Sequence, residues 1–307
     1  MATPGIRPVG TNADIHRIFI QTFIEPPTLY IIDRSSMMSK LNRFVLLCHQ
    51  RSGSNALSTV LHQHPDIAIF GQLFKDHPTS RPALRSLGLP MFKRCPTYNY
   101  LTNSRCETGT ALAELRLRLY RRSSDVRDYV DCFYERFHAK TGNPVVGYKL
   151  HAHQLSNEDF ETALTERTDK VILLHRRNLL AAAVSWCVAV HTSQWVTTSK
   201  RRVKSLAGVS IDVDEARWFI RQTRHQTDQW RSMLKRNNVE YREFVYEDLF
   251  NECTLSDVWD FLEVKRLADA QPRTRRLMTK DRYQEIVNLD EVNRTLASDE
   301  NGCLRVA

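Results

Sequence analysis

The turn at residues 50–55 carries side chains and backbone groups that suit the binding of an anion. It reads Gln50-Arg51-Ser52-Gly53-Ser54-Asn55 and follows a short apolar run at residues 44–48 that has the character of a β-strand. The turn offers a glycine for close backbone approach, two serine hydroxyls, an arginine and the start of a helix, which together favour a phosphate or sulfate group. Serine and asparagine are also good helix caps, so an ordinary capped helix start is the alternative.

A second pair of residues suits a phosphate group further along the chain. Arg177 follows an apolar run, and Ser185 lies eight residues later in a segment of helical character. Because eight residues span a little over two helical turns, Ser185 is expected on the same side of the helix as its start. A guanidinium and a hydroxyl placed in this way form a phosphate clamp. The alternative is a surface arginine and a serine selected only for its small size.

Two absences from the sequence argue against an enzyme that binds a nucleotide through magnesium. The phosphate-binding pattern G-x-x-x-x-G-K-[ST] does not occur, and the chain has no Gly-Lys pair. The apolar run at residues 170–174 is followed by His175-Arg176-Arg177 rather than by an aspartate that would hold the metal. We therefore expect protein cations in the place of Mg²⁺ and no metal ion in the site.

Short apolar runs alternate with segments of helical spacing along most of the chain. The predicted strands lie at residues 44–48, 67–70, 145–150, 170–174 and 240–245. The predicted helices lie at residues 56–63, 111–122, 126–140, 179–190, 214–236 and 255–262. This alternation predicts an α/β fold with a parallel β-sheet flanked by helices on both faces, and such sheets bind ligands at the carboxyl ends of their strands. Residues 75–110 and 193–213 are predicted to form irregular lid insertions.

The composition is typical of a globular protein and indicates an anionic partner. The chain has 307 residues, of which 44 are Lys or Arg and 35 are Asp or Glu, so its formal net charge is +9. With 42% hydrophobic and 26% charged residues it is neither collagen-like, a coiled coil nor broadly disordered. On charge alone, the partner is nucleic acid, an anionic lipid surface, a phosphorylated small molecule or an acidic glycan.

The cysteines and the hydropathy pattern disfavour a disulfide-rich protein, a cysteine-based zinc protein and a membrane-spanning protein. Seven cysteines occur at wide spacings without a C-x-x-C pair, which disfavours a disulfide framework and a cysteine-based zinc site. Residues 1–42 contain no continuous apolar segment, so neither a signal peptide nor a membrane anchor is predicted. The most apolar window, residues 171–190, contains a histidine and two arginines, which are costly in lipid. We expect a cytoplasmic protein without a transmembrane segment.

Four short motifs resemble those of sulfotransferases that use 3′-phosphoadenosine-5′-phosphosulfate (PAPS), and in particular the bacterial members that modify glycans and lipids. Residues 48–55 resemble the 5′-phosphosulfate loop, and residues 177–185 resemble the 3′-phosphate motif, with Arg and Ser at the family spacing. Tyr246-Glu247-Asp248-Leu249, followed by Phe261-Leu262, resembles a segment after the last core strand. Asn288-Leu289-Asp290-Glu291-Val292 resembles the tail of bacterial members. Four motifs in the family order make this resemblance specific.

The resemblance implies a fold like that of the P-loop NTPases and the transfer of a sulfuryl group to a hydroxyl or amine, an activity of the EC 2.8.2 type. It implies one domain at residues 43–297, an N-terminal extension at 1–42 and a C-terminal tail at 298–307. PAPS is the implied co-substrate, adenosine 3′,5′-bisphosphate is the product, and the acceptor is a hydroxyl-bearing glycan, lipid or small molecule. The donor-binding residues that it implies are Arg51, Ser52, Gly53, Ser54, Asn55, Arg177 and Ser185, and Arg51 also stabilises charge on the leaving oxygen.

The catalytic base departs from one family pattern and matches another. Many bacterial members carry a glutamate in the pattern G-E-x-F, whereas this chain has Gly71-Gln72-Leu73-Phe74, and an amide cannot take a proton. The family's other solution, Lys-x-His after a strand, matches Lys149-Leu150-His151, and histidine suits proton transfer at neutral pH. We predict His151 as the base, His153 as the alternate and Lys149 as a second cation near the leaving oxygen.

Two further residues are predicted to contact the acceptor. Gln72 occupies the position of the family glutamate, and Trp195 lies in a segment, Thr192-Ser193-Gln194-Trp195, that resembles T-G-x-W of bacterial members. Trp195 in core packing is the alternative. His49, beside the first turn, is a weaker candidate for the base because strand alternation would bury it.

Three further functions fit parts of the sequence. A nucleic-acid-binding protein fits the positive net charge, although the chain has no recognised nucleic-acid-binding motif. For the leading prediction, a sulfotransferase, we expect no nucleic-acid partner. A magnesium-dependent kinase of related fold is the second. Gln72 raises the third, a catalytically impaired relative that only binds the nucleotide.

Overall fold

The computed structural model describes residues 41–75, 80–89, 92, 126–196, 203–274 and 276–299. Within these residues the strands are β1 (Asn42–Cys48), β2 (Ile67–Gln72), β3 (Val145–Leu150), β4 (Lys170–His175) and β5 (Glu240–Val245). The helices are α1 (Ser54–Leu61), α2 (Arg81–Ser86), α3 (Val126–Thr141), α4 (Asn157–Thr165), α5 (Leu179–Thr192), α6 (Val213–Arg236), α7 (Glu252–Phe261), α8 (Lys280–Gln284) and α9 (Leu289–Asp299). A single 3₁₀ turn, Ala152–Gln154, follows β3.

The strands lie parallel in one sheet with the order β2-β3-β1-β4-β5. Leu47, near the end of β1, pairs with Leu150 at the end of β3 and with Leu173 near the end of β4. Because these three strands end at nearly the same level, the residues that follow them emerge together at one edge of the sheet. This edge is where ligands bind in parallel α/β sheets.

Strand β1 is buried on both faces, and successive side chains point into different cores. Val45 packs in one core with Phe133 of α3, whereas Leu46 packs in the other with Leu57 of α1 and Trp259 of α7. This alternation is the two-residue period of a strand that has helices on both sides. The predicted fold class, a parallel α/β sheet flanked on both faces, is therefore confirmed.

Helix α5 is buried around nearly its whole circumference, as its uniformly apolar sequence predicts. It forms a third core with α6, α8 and α9, in which Trp186 stacks on Phe219 at 5.3 Å between ring centres. None of the described helices is both long and apolar enough to cross a membrane. The apolar window at residues 171–190 is a buried strand, a polar turn and a buried helix, as predicted.

The predicted elements match the observed ones with small shifts at their ends. Helix α1 begins two residues earlier than predicted, because Gly53 already ends the turn. The predicted lid at residues 75–110 contains the short helix α2, which has Pro82 in its first turn and Leu84 in the core. The predicted helix at residues 111–122 lies outside the described residues.

The close approach of the Phe44 ring to Gly147 in β3 predicts that a larger residue at position 147 destabilises the fold. An added Cβ at Gly147 would lie 2.4–2.6 Å from three ring atoms of Phe44, which is fully buried. We expect Gly147→Ala to lower the free energy of unfolding by roughly 1–3 kcal/mol, as overpacked cores do, measured by urea denaturation. Gly71→Ala is the matched control, because no described atom lies within 4 Å of its added carbon. Equal losses in both variants would contradict this packing argument.

Candidate active site

The turn after β1 contains two residues in the left-handed backbone region. Arg51 has a φ of 62° and Gly53 has a φ of 84°. A side chain at position 53 would also meet a neighbour, because an added Cβ would lie 1.9 Å from a ring carbon of Tyr246. Glycine therefore allows the turn to lie against this ring. The Gly53 carbonyl accepts hydrogen bonds from Ala56 and Leu57, which begins α1.

The turn presents backbone donors at the start of α1. The Ser52 hydroxyl donates to the carbonyl of His49 at 2.8 Å, which holds the turn closed. Among the described residues, the backbone N–H groups of residues 52–55 donate to no backbone carbonyl in a turn or loop. Such N–H groups carry the positive end of the helix dipole and bind anions.

The Arg51 guanidinium connects the two anion motifs of the sequence. Its Nε and Nη2 atoms donate to the Ser185 hydroxyl at 3.0 and 2.8 Å, and Nη1 donates to the Trp195 carbonyl at 2.5 Å. Both partners are neutral, so they orient the guanidinium without compensating its charge. Burial, together with the nearby Arg176, lowers the pKa of Arg51 to about 10, and the side chain stays protonated at neutral pH.

Arg176 is a further cation at this turn, and the sequence motifs assign it no role. Its Nη1 lies 3.4 Å from the Arg51 carbonyl, and its guanidinium lies 5.0 Å from the centre of the Tyr246 ring. Arg276 lies 5.7 Å from the centre of the same ring. The signal for Arg176 was its place directly after β4, in the polar run that contains Arg177. The ring and its two cations form one side of the turn.

Glu247 binds the backbone at the turn after β4. Its Oε2 accepts from the Arg177 N–H at 2.9 Å, and its Oε1 accepts from the Asn178 N–H and from Arg176 Nε, each at 3.3 Å. The Asn178 side chain caps α5 by accepting from the Ala181 N–H at 2.8 Å. A carboxylate of the chain thus occupies the donors at this second turn.

Arg177 and Ser185, the predicted 3′-phosphate pair, have different partners in the structure. The Arg177 side chain is 54% exposed and forms an ion pair with Asp248. Ser185 is buried in α5 and accepts from Arg51. The 3′-phosphate role of Arg177 stays a prediction, and it requires Arg177 to exchange Asp248 for the phosphate.

Lys149 is a buried cation next to the first turn. Its side chain lies in β3, the residue is 5% exposed, and Nζ donates to Asn55 Oδ1 at 2.5 Å. Burial is the main cause that lowers its pKa to about 8; Cys48 opposes this shift and Lys75 adds to it. Most Lys149 side chains are therefore charged at neutral pH.

His151 follows β3 directly and lies beside Gln72 and His153. The residue is 3% exposed, and its Nε2 atom lies 3.2 Å from Gln72 Nε2. The rings of His151 and His153 stack with 5.6 Å between their centres. Burial, with smaller effects of His153 and Lys149, lowers the pKa of His151 well below its usual range. Burial likewise lowers the pKa of His153 to about 4, so both rings are neutral at pH 7.

A small cavity opens at this edge of the sheet. It is lined by residues 48–50 after β1, residues 151–153 after β3, and Phe219, Thr223 and Gln226 of α6. The sequence identifies α6 as amphipathic, but the periodicity indicates only that one side is buried, so it did not point to these three lining residues. The cavity lies beside His151 and His153.

His49 is held by α6. Its ring stacks on Trp230 at 4.1 Å, and its Nε2 lies 2.9 Å from Thr227 Oγ1. The Thr227 hydroxyl donates its single proton to the Thr223 carbonyl at 2.7 Å, so it accepts from an Nε2–H of His49. The Nε2 atom of His49 therefore carries a proton, which leaves the lone pair on Nδ1, and the weaker candidacy of His49 as a base stays a prediction. Burial lowers the pKa of His49 to about 3.

The remaining predicted features are an acceptor contact and the absence of a metal. Trp195 is 42% exposed, and its carbonyl rather than its ring contacts Arg51. In the part of the chain that the structure describes, no group of three or more His, Cys, Asp or Glu side chains is arranged to hold a metal ion.

Comparisons with known proteins give structural neighbours but no sequence match. No protein-family model and no curated protein matches the chain. A sulfotransferase from Mycobacterium avium is similar over 95% of this chain and 83% of its own, with 11% identity and a TM-score of 0.43. A sulfotransferase from Alicyclobacillus acidocaldarius is similar over 84% of this chain and 92% of its own, with 17% identity and a TM-score of 0.41.

The buried histidines predict that acid destabilises the fold. The unfolded chain takes up protons near pH 6.5, whereas folding lowers the pKa of His49 to about 3. Each such histidine therefore makes its full contribution to stability above about pH 6.5. As the pH falls below that value, the free energy of unfolding decreases by up to about 1.4 kcal/mol per pH unit for each such histidine. We expect His49→Gln to show a shallower fall than the unmodified chain when urea denaturation is measured between pH 7 and pH 5. If the free energy of unfolding fell equally steeply with pH in both proteins, the inference that folding lowers the pKa of His49 would be contradicted.

Proposed function

We propose that this chain is a PAPS-dependent sulfotransferase that moves a sulfuryl group to a hydroxyl or amine of a glycan, lipid or small molecule. The observation that carries the proposal is the contact between Arg51 and Ser185. Two anion motifs, found separately in the sequence and 134 residues apart, meet through hydrogen bonds of 3.0 and 2.8 Å. They meet at the carboxyl edge of a parallel sheet, where a nucleotide is expected.

The chemistry of the donor set fits a phosphosulfate group. Backbone N–H groups at the start of α1, including that of Ser52, the hydroxyl of Ser54, and the cations Arg51 and Lys149 can all donate hydrogen bonds, as the oxygens of an anion require. The charge on Arg51 is compensated neither by Ser185 nor by the Trp195 carbonyl. An incoming anion would supply that compensation.

Sulfuryl transfer places special demands on these cations. When bound, PAPS supplies an activated sulfuryl group on its 5′-phosphate. As the bond from sulfur to the bridging oxygen breaks, its electron pair stays on that oxygen, and negative charge grows there. Arg51 and the N–H groups of the turn stabilise this charge from positions fixed before the reaction, and Lys149 adds a second cation. The held guanidinium avoids reorganisation during the transfer.

His151 is the proposed base. It takes the proton of the acceptor hydroxyl while the acceptor oxygen forms its bond to sulfur. A neutral imidazole is needed for this step, and burial keeps His151 neutral at pH 7 by lowering its pKa. His153, stacked on His151, is the alternate base, and Gln72, which lies 3.2 Å from His151, is the proposed hydrogen-bond partner of the acceptor.

The 3′-phosphate is assigned to Arg177 and Ser185, with Arg177 leaving Asp248 when the nucleotide binds. Arg177 forms an ion pair with Asp248 before this exchange and with the phosphate after it, and its side chain is partly exposed. The exchange therefore replaces one charge contact by another rather than desolvating a free guanidinium.

A second function is favoured by one observation, the amide of Gln72 in the place of the family carboxylate. A chain without a competent base would bind adenosine 3′,5′-bisphosphate and transfer nothing. The deciding experiment incubates the full chain with ³⁵S-labelled PAPS and a panel of glycans, lipids and phenols, beside direct binding of adenosine 3′,5′-bisphosphate by calorimetry. Labelled product supports the sulfotransferase; binding without product supports the impaired relative.

A nucleic-acid-binding protein and a magnesium-dependent kinase would each give a different result. Binding of random-sequence DNA with a steep salt dependence, unaffected by adenosine 3′,5′-bisphosphate, would favour a nucleic-acid-binding protein. Magnesium-stimulated ATP turnover without transfer from PAPS would favour a kinase.

The nucleotide assignment predicts the effect of removing either arginine. Arg51→Ala and Arg177→Ala should each raise the Kd for adenosine 3′,5′-bisphosphate roughly 10- to 100-fold, because each loses a charged hydrogen bond to phosphate. Isothermal titration calorimetry measures this change. Arg43→Ala is the matched control, since Arg43 pairs with Asp169 at the opposite edge of the sheet. An Arg51→Ala variant that binds like the control would refute the site.

The base assignment predicts a different pattern for His151. His151→Ala should leave the Kd for adenosine 3′,5′-bisphosphate nearly unchanged and should lower kcat roughly 10²- to 10⁴-fold, because only proton transfer is lost. Single-turnover transfer from labelled PAPS measures the effect. Full activity in His151→Ala would overturn this assignment, and His153→Ala would then be the variant to lose activity.

A further inference from the structure

Three side chains form a row of hydrogen bonds at the end of β3. Gln154 Nε2 lies 2.9 Å from Gln72 Oε1, and Gln72 Nε2 lies 3.2 Å from His151 Nε2. Gln154 Oε1 also lies 3.1 Å from the backbone N of His151. Gln154 and His151 are 2% and 3% exposed and Gln72 is half-buried, so the bond from the His151 backbone is buried and the two bonds of Gln72 are partly buried. The row starts and ends on the same residue.

The direction of every bond in this row follows from its first member. The backbone N–H of His151 can only donate, so the atom of Gln154 that faces it must be the oxygen. The amide nitrogen of Gln154 then faces Gln72, where it requires an oxygen. A reversed Gln154 amide would set two donors against each other at 3.1 Å. Gln154 is therefore fixed in one orientation.

The same reasoning passes to Gln72 and then to the imidazole. Since the Gln72 oxygen accepts from Gln154, its amide nitrogen faces His151 Nε2 and donates to it. The Nε2 atom must then carry a lone pair, and the proton of the neutral ring is on Nδ1. The His151 side chain faces the Gln154 backbone N–H, but that N–H donates to the His151 carbonyl at 3.0 Å, so the buried Nδ1 atom has no hydrogen-bond partner among the described residues.

We infer that Gln154 is a positioning residue which, through Gln72, fixes His151 in the tautomer that has its proton on Nδ1 and its lone pair on Nε2. The inference about the tautomer stands on the hydrogen bonds alone, whereas its catalytic meaning rests on the proposed function. Nε2 is then the nitrogen that receives the acceptor proton. Before that, the acceptor hydroxyl takes the place of the Gln72 N–H at Nε2.

This arrangement gives Gln72 a role that a glutamate would not have. A carboxylate at position 72 would accept from Gln154 and from His151 at the same time, and it would require a proton on Nε2. The amide instead donates to Nε2 and keeps it unprotonated. Leaving a buried N–H without a partner costs about 1–3 kcal/mol, so the row must outweigh the cost of the unpaired Nδ1–H.

The test is the protonation state of each ring nitrogen, measured by long-range ¹H–¹⁵N correlation spectra of the full chain labelled with ¹⁵N-histidine. His151 is assigned by its loss in His151→Gln. In the unmodified chain at pH 7 we expect the ¹⁵N shift of a protonated nitrogen for Nδ1 and that of an unprotonated nitrogen for Nε2. A protonated Nε2 in this spectrum overturns the inference, and no variant is needed for this outcome.

Two variants test the row itself. Gln72→Glu should move the Nε2 signal to the shift of a protonated nitrogen, and Gln154→Met should convert the single tautomer into a mixture. Gln229→Glu, on the exposed side of α6, is the matched control and should leave the His151 signals unchanged. A pure Nδ1–H tautomer in a folded Gln154→Met variant would overturn the role of Gln154.

Activity separates this inference from the proposed function. In Gln154→Met, kcat for sulfuryl transfer should fall in proportion to the fraction of His151 protonated on Nε2, with the Kd for adenosine 3′,5′-bisphosphate unchanged. A correct tautomer in a chain without transfer activity would refute the function and leave the tautomer assignment intact. Transfer activity in a chain whose His151 is protonated on Nε2 would refute the tautomer assignment and leave the proposed function intact.

Discussion

The hydrogen bonds from Arg51 to Ser185 are the contact on which the rest of the site depends. They connect the turn after β1 to the middle of α5, two elements that the chain forms far apart in sequence. The left-handed backbone of Arg51 and Gly53 turns the guanidinium towards α5, and the Tyr246 ring lies against the turn at Gly53. Without this contact, the two anion motifs would be separate features of one edge of the sheet.

Burial sets the charges around this contact in a consistent way. Arg51 and Lys149 have lowered pKa values, yet both remain mostly protonated at neutral pH, whereas the buried histidines remain neutral. At neutral pH the site therefore combines charged side chains with uncharged imidazole rings. Arg51 and His49 follow β1, whereas Lys149 lies in the neighbouring strand β3 and His151 follows it, and the parallel register brings the two strands to the same level. Each of the two strands thus brings a cation and a neutral histidine to this edge of the sheet.

The sequence predicts the fold well because strands and helices with buried faces leave strong periodic patterns. Strands β3 and β5 have the predicted bounds, and the turn of Arg51 and Gly53 is where the motif predicts it. Three features of the site left no such pattern. The partner of Ser185 depends on where a long side chain points, the cavity residues of α6 depend on how that helix is placed on the sheet, and Gln154 acts through a hydrogen-bond direction. Each is decided by tertiary packing, which local periodicity does not record.

The two turns at the edge of the sheet differ in what they can still receive. At the turn after β4, Glu247 already fills the backbone donors of Arg177 and Asn178, so the protein carries its own anion there. A phosphate arriving at this side can be held only by side chains, which rotate and exchange partners. At the turn after β1 the amides of residues 52–55 donate to no backbone carbonyl in a turn or loop of the described residues, and amides cannot rotate away. If a ligand with two phosphate groups bound across both turns, fixed backbone amides would hold one phosphate rigidly, whereas movable side chains would leave the other some freedom to shift.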